Sequence, residues 1–323
     1  MSMEKSTRYF RGKIIATGGS KISLGAHLYK YRALYSMTLL PLVYFIVFKY
    51  LPMFGNILAF RRYRPGMGPW GTEWVGFQYF ERFIQDEAFW RAFRNTLLTS
   101  LWNIAVNFPL PILFAVLLSE ARIKWFKKVV QTVSYMPRFI STVVVIAILG
   151  ELLSPSSGIF NRFLVTTFGI TPIYFLNEPV WFRPIYVLTD SWQFTGWTAI
   201  IYLAAITSIN SDLFEAAEID GASRLQKIFH VTIPSILPTV MVMLILQVGR
   251  MLSLGFEKVL LLYTPANSYT SDILDTLVYR IGLAGTPNYS YASAIGLFNS
   301  IIGLILVLSA NFSSRKLTGE SIF

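Results

Sequence analysis

Asp190, Gln193, Trp197 and Arg250 place a carboxylate, an amide, an indole and a guanidinium inside otherwise apolar stretches of the chain. Charges are costly inside a bilayer and therefore point to function. Together the four suit a cargo of rings and hydroxyls: an indole face stacks on a pyranose ring, while amides and charges bond hydroxyls or carboxylates. Asp190, Gln193 and Trp197 recur at helical spacing and share one face, whereas Trp192 points elsewhere. Arg250 lies ~24 Å along its own run beyond Pro234, at a depth similar to that of Asp190. Two readings stay open: a mutual salt bridge or vestibule-edge charge, or a place for one of the two on the path of the cargo. Asn103, Asn107 and Gln247 are weaker candidates that hydrogen bonds between packed helices explain as well.

A second group lies in the polar stretch EAAEIDGASRLQKIFHVTIPSILP, residues 215 to 238, between two long apolar runs. Ser211 and Asp212 precede Glu215, Ala216, Ala217 and Glu218, and an Asp followed three residues later by Glu is a capping-box type helix start. Asp220-Gly221 breaks that helix, because glycine takes positive φ at little steric cost. A second short helix is expected over roughly 222 to 229, with Pro234 and Pro238 stopping or restarting the backbone where the next apolar run begins. A helix, a glycine turn and a second helix, acidic in the first turn, suit a groove on a partner protein.

The elements that must carry these residues are membrane spans. Of 323 residues, 54% are hydrophobic and 14% charged, against roughly 25% charged in soluble domains. Spans of about 20 residues are expected near 33–54, 96–119, 134–154, 183–207, 234–254 and 291–311. The third reaches its length only with Arg138 at the inner headgroups and Glu151 at the outer ones. Pro109 and Pro111 predict a kink in the second span. The chain reads as an all-α membrane protein: a basic amino-terminal tail (1–32), a six-span domain (33–311) and a short tail (312–323).

Lys5, Arg8, Arg11, Lys13, Lys21, Lys30 and Arg32 in the first tail, Arg122, Lys124, Lys127 and Lys128 in the second-to-third connection, and Arg315 and Lys316 at the end put these segments in the cytoplasm. The first-to-second connection dissents, with Arg61, Arg62, Arg64, Arg82, Arg91 and Arg94. With Glu73, Glu81, Asp86 and Glu87 also present, it reads as a folded extracytoplasmic cap, about 61–95, with a small core drawn from the aromatic residues between Trp70 and Trp90. The tail runs straight into a full-length span without a cleavage site, as an uncleaved signal anchor does.

The +11 net charge follows from this topology and from attraction to anionic lipid, and no nucleic-acid module accompanies it. The chain has no cysteine, which excludes disulfides and thiolate metal sites. His27 and His230 are too few for a metal centre and fit cap or surface roles. The pattern G-x-x-x-x-G-K-[ST] is absent: Gly12-Lys13 is followed by Ile14, with Thr7 in place of the first glycine. Neither G-x-S-x-G nor H-E-x-x-H occurs, which disfavours a membrane hydrolase. If energy is used, a partner must deliver it.

The spacing Glu215-Ala216-Ala217, Asp220-Gly221-Ala222, Phe229, Thr232, Pro234 resembles the EAA loop (about 208–233) of permease subunits in binding-protein-dependent ATP-binding-cassette (ABC) importers. Phe89 to Leu97 and SYMPRFIS, Ser134 to Ser141, resemble the carbohydrate-uptake branch. The basic tail and YRPGMGPWG at 63–71 resemble its oligosaccharide permeases, including those for alginate or aldouronate fragments. The resemblance implies the six-span type I importer fold and a bacterial inner-membrane location with both termini cytoplasmic. It implies a pore shared with a second permease subunit, homologous or identical, two ATPase subunits that bind ATP and Mg, and an extracytoplasmic solute-binding protein. It also implies that Glu215 pairs with a basic group on the ATPase and that Gly221 makes the turn. From another class, half of an ion-coupled secondary transporter would use Asp190 as a relay, but leaves the loop unexplained.

Overall fold

The structure, a computed structural model, describes residues 29–318 except 67 and 69. Most of the basic amino-terminal tail, His27 and the last residues of the carboxyl tail lie outside the described residues. Contacts divide the chain into two compact units, Met1–Asn56 and Ile57–Phe323. The first holds α1 (Arg32–Phe45), a wide π turn (Ile46–Tyr50) and a single turn (Leu51–Met53). No α1 side chain is buried, as suits a helix whose solvent is lipid. With the 3₁₀ stretch Phe54–Phe60, the apolar run spans Arg32–Phe60, longer than the expected 33–54.

The second unit opens with an antiparallel hairpin, β1 (Arg61–Arg62) on β2 (Glu73–Trp74), and α2 (Gln78–Ile84). There follow α3 (Glu87–Asn107), α4 (Pro109–Ser119), α5 (Lys124–Tyr135), α6 (Thr142–Leu152), α7 (Ile159–Phe168) and α8 (Pro179–Thr207). After these come α9 (Ser211–Ile219), α10 (Arg224–Lys227), α11 (Ile233–Gly249), α12 (Phe256–Leu262), α13 (Leu274–Gly282) and α14 (Tyr289–Thr318). Among the described residues, four helical runs are long and apolar enough to cross a membrane, or six if each of two bent pairs is one span.

One bent pair revises the expected third span. α5 continues through a 3₁₀ turn, Met136–Phe139, and then bends by 98° into α6. α6 has 11 residues, ~16 Å of helix against a hydrocarbon core of about 30 Å. Pro137 supplies no backbone N–H to continue α5, and Ser141 restarts the helix by accepting the Val144 amide at 3.4 Å. Arg138 therefore lies at a bend, not at the start of a straight span. At Pro109 the helical ladder is interrupted at Phe108, between α3 and α4, yet the two run on as one span, Glu87–Ser119, with no sharp bend.

The aromatic cap has the expected core, drawn from rings between Trp70 and Trp90. Phe83 and Phe89 are its buried centre, with Tyr79, and they pack on Leu274, Leu277, Tyr291 and Ile295 of α13 and α14. Trp70, Trp74 and Trp90 stay exposed. Asp86 caps α3 through the Ala88 amide (2.9 Å) and accepts the Tyr291 hydroxyl at 2.8 Å, tying the cap to α14. Buried asparagines stitch the connections elsewhere. Asn161 donates to the carbonyls of Leu153 and Ile173, both at 2.9 Å, and accepts the Ile173 amide.

Along α8, one apolar cluster takes Phe182 to Val187 and another takes Ala199 to Ile206 with Ala115, Val116 and Ile236. Between them Gly196 admits α5: a Cβ there would stand 2.2 Å from the Ser134 carbonyl oxygen. Backbone contact that close demands glycine. Gly196→Ala is expected to cost about 1–3 kcal/mol through forced separation of the two helices, read as a lower thermal midpoint of the purified protein.

Candidate functional site

A cavity of about 630 Å³ opens where α3, α8, α11 and α12 meet the bend between α5 and α6. Its wall includes Asp190, Gln193, Trp197 and Arg250, the four residues singled out in the sequence, as well as Asn103, Asn107 and Gln247. Trp192 is exposed and off the wall.

Within this wall the chemistry is divided differently from the expectation. Asp190 and Arg250 are not paired. Asp190 Oδ1 instead lies 2.6 Å from Lys258 Nζ, with both side chains largely buried. The Lys258 ammonium also donates to the Tyr186 carbonyl at 2.8 Å and sits 4.3 Å from the centroid of the Tyr186 ring. Asn103 donates to Asp190 Oδ2 at 2.9 Å. Asn107 donates to Asn103 Oδ1 and accepts the Ser191 hydroxyl. The chain of polar groups thus runs from α12 through α8 to α3 and leaves Asp190 with both oxygens occupied. A charge this enclosed stands only because it is paired and hydrogen-bonded.

Gln193 is also committed to structure: it is buried, and its amide donates to the Ile140 carbonyl at 3.0 Å, at the bend between α5 and α6. Trp197 remains accessible, edge-on to Phe139. Arg250 caps the end of α11, exposed, and Arg138 lies over the Phe194 ring at 5.0 Å. Among the described residues neither arginine has a carboxylate at ion-pair distance. Two free guanidinium groups and one open indole therefore face the space. Lys258 and Arg138 went unrecognised in the sequence as members of this wall. The lone Lys258 beside VLLLY was the available signal for the first.

The second candidate is the loop after α8. α9 leaves α8 at 68°. Its cap is Asn210, which accepts the Asp212 amide at 3.1 Å, so the expected capping box at Asp212 gives way to a cap two residues upstream. Gly221 has φ +74°. Its N–H donates to the Glu218 carbonyl and that of Ala222 to the Ala217 carbonyl, closing a Schellman turn. A true capping box then stands at Ser223 and Gln226. From there the chain does not stop at Pro234: α10 passes through a π turn, Ile228–Thr232, into α11 as one helix, Arg224–Gly249. The wide turn spreads the carbonyls that the Pro234 ring would otherwise strike. Lys227 closes the hairpin at 2.6 Å from Glu218 and holds that carboxyl below its usual range. Glu215, Ala216, Asp220 and Gly221 are exposed, Ala217 and Ala222 partly so. Leu213, Ile219, Leu225 and Phe229 stand out in the open. His230 bonds the Gln226 carbonyl within the helix.

A helical membrane fold with a polar cavity and a protruding two-helix loop defines a transport permease. Residues 107–319 match the model of the binding-protein-dependent transport system inner membrane component family, and the chain belongs to it. It is 44% identical over 290 residues, 90% of each chain, to the polygalacturonan/rhamnogalacturonan transport system permease protein YteP of Bacillus subtilis (strain 168). It is 40% identical over 309 residues, 96% of each chain, to Protein LplB of the same organism. A chain in the crystal structure of a bacterial ABC transporter involved in import of the acidic polysaccharide alginate superposes with a TM-score of 0.83 at 41% identity, covering 91% of this chain and 99% of that one. A chain in the crystal structure of a bacterial alginate ABC transporter in complex with an alginate pentasaccharide-bound periplasmic protein matches with a TM-score of 0.84, 40% identity and coverage of 93% and 99%. The fold is that of type I ABC importer permeases.

Proposed function

We propose that this chain is one membrane subunit of an ABC importer for an oligosaccharide bearing carboxylates, such as an alginate or uronate fragment. The carrying observation is the cavity wall, where Arg138 and Arg250 face the space without acidic partners and Trp197 offers an open ring. Guanidinium groups bond carboxylates in a fork geometry, and an indole stacks on the sugar between them. Relatives whose named cargoes are acidic polysaccharides support this choice.

The rest of the assembly follows from the loop and from what the chain lacks. Without a phosphate-binding loop it hydrolyses no ATP; two partner subunits bind ATP and Mg. α9, the turn at Gly221 and α10 seat in the groove of one partner, with Leu213, Ile219 and Phe229 as the apolar contact and Glu215 facing a basic group. A second permease subunit, different from this one, completes the pore, and a solute-binding protein delivers cargo from outside. Both termini are cytoplasmic.

The test is uptake by the whole transporter in vesicles, with acidic and neutral oligosaccharides of equal length. Arg250→Gln and Arg138→Gln are each expected to spare assembly and to lower acidic uptake about tenfold, the value of a charge-assisted hydrogen bond, while neutral uptake holds. Equal loss of both cargoes, or no loss, overturns the reading.

A further inference from the structure

α5 differs from the other long apolar elements of the second unit in having two contrasting open faces. Trp125, Phe126, Val129 and Val133 form one, all exposed. Lys124, Lys128, Gln131 and Tyr135 form the other, the lysines exposed and Gln131 and Tyr135 partly so, at intervals of four, three and four residues, which the helical period aligns in one stripe. Only a flank between the two faces is covered. There Ser134 abuts Gly196, and Val130 packs with the cluster of Ala199, Tyr202 and Ile206. Position 134 meets 196 while 130 meets residues further along α8, so the two helices run antiparallel. The lysines therefore lie toward the end of α8 that leads into the Gly221 loop, and Tyr135 lies toward the cavity.

A lysine and glutamine stripe does not face hydrocarbon, whereas the tryptophan and valine face does so readily. Beyond Tyr135 the stripe meets Arg138, already on the cavity wall. From Lys124 to Tyr135 it covers ~16 Å of helix, a distance suited to several sugar units. Gln131 and Tyr135 have no side-chain hydrogen bond among the described residues, so their polar groups are available to a passing ligand.

We propose that this stripe is the exit lane of the transporter, guiding the carboxylates of an acidic oligosaccharide from the cavity to the cytoplasm. The inference rests on the acidic-cargo reading above and adds to it a path and a direction. Exposed cations at either end, with neutral polar groups between them, let a polyanion advance without lodging, because exposed charge pairs are individually weak.

The chain's lack of cysteine permits a direct test in the assembled transporter, with any cysteines of the partner subunits first replaced. Single changes Lys128→Cys, Gln131→Cys and Tyr135→Cys are made beside Val129→Cys and Val133→Cys. The first three are expected to react with a membrane-impermeant anionic methanethiosulfonate added at the cytoplasmic face, faster than with its cationic counterpart, and to be slowed by acidic cargo during turnover. The valine positions are expected to stay unreactive. Lys124→Gln/Lys128→Gln is expected to lower acidic uptake about fivefold and leave neutral uptake unchanged. Silent stripe cysteines in the assembled transporter, whether covered by lipid or by the second permease subunit, overturn the lane. So does normal acidic uptake by the double variant. If the wild type carries no acidic sugar at all, the cargo reading fails first, an outcome distinct from either.

Discussion

Lys258→Met alone is expected to collapse the yield of folded transporter, and adding Asp190→Asn to the same chain to restore most of it. In the single variant the Asp190 carboxylate keeps the Asn103 amide but loses the ammonium 2.6 Å away, in a setting where both partners are largely buried. An uncompensated buried charge costs about 3–5 kcal/mol, while replacing both members by neutral groups of similar size is often nearly neutral. Asp190→Asn alone strands Lys258 in the same manner. The measurement is a double-mutant cycle on thermal midpoint and detergent-extracted yield, with strong coupling for the pair. Arg250→Gln combined with Asp190→Asn serves as the contrast, and its effects are expected to add. Additive losses for Asp190 and Lys258 would remove the ion pair from the account of how the cavity is held together.

Gly221→Val is expected to leave insertion and abundance intact yet abolish most ATP hydrolysis coupled to transport. Nothing stands within 4 Å of a Cβ built at this position, so space is not the obstacle. The backbone is: at φ +74° an L side chain costs roughly 1–2 kcal/mol, and β-branching adds to it. The loop can relax only by giving up the Schellman bonds from Gly221 and Ala222 that set the angle between α9 and α10. Gly221→Asn, which tolerates this region of φ, is expected to retain most activity. Glu215→Lys is expected to match the valine variant by reversing an exposed charge, while a charge placed at Thr318 changes nothing. Co-purification of the ATPase and sugar-stimulated hydrolysis in vesicles, at equal permease abundance, decide the matter. Wild-type values for both would detach the loop from energy transfer.

These two sites differ in how far the sequence reveals them, and the difference is physical. The turn at Gly221 is local: a glycine after Asp220, between two polar segments, is readable because the constraint acts over a few bonds. The ion pair of Asp190 is not local, since its partner is 68 residues away on a short helix between spans, and depth along a helix pointed to Arg250 instead. Helical spacing did place Asp190, Gln193 and Trp197 on one wall. It could not say that Gln193 spends its amide on Ile140, because that carbonyl is freed only by the bend after Pro137. The same bend hid the true shape of the third span, where an uncharged run suggested a straight one. In the cap, the aromatic stretch from Trp70 to Trp90 marked where the core lies but not which rings fill it: the phenylalanines at 83 and 89 do, having no polar atom to satisfy, while the tryptophans stay exposed.

The helix that begins just after Ser223 and ends at Gly249 has 26 residues, ~39 Å from the loop to the cavity wall. In the proposed importer it would act as a lever. Its near end is gripped by the capping box and the Glu218 clasp, and its far end carries Gln247 and presents Arg250. A modest tilt imposed at the grip would be magnified at the guanidinium, so that cargo contacts would be drawn or released by a stroke delivered on the other side of the membrane. The wide turn at Ile228–Thr232, which interrupts the regular helical ladder, would set the stiffness of that linkage: whatever angle it absorbed would never reach the sugar.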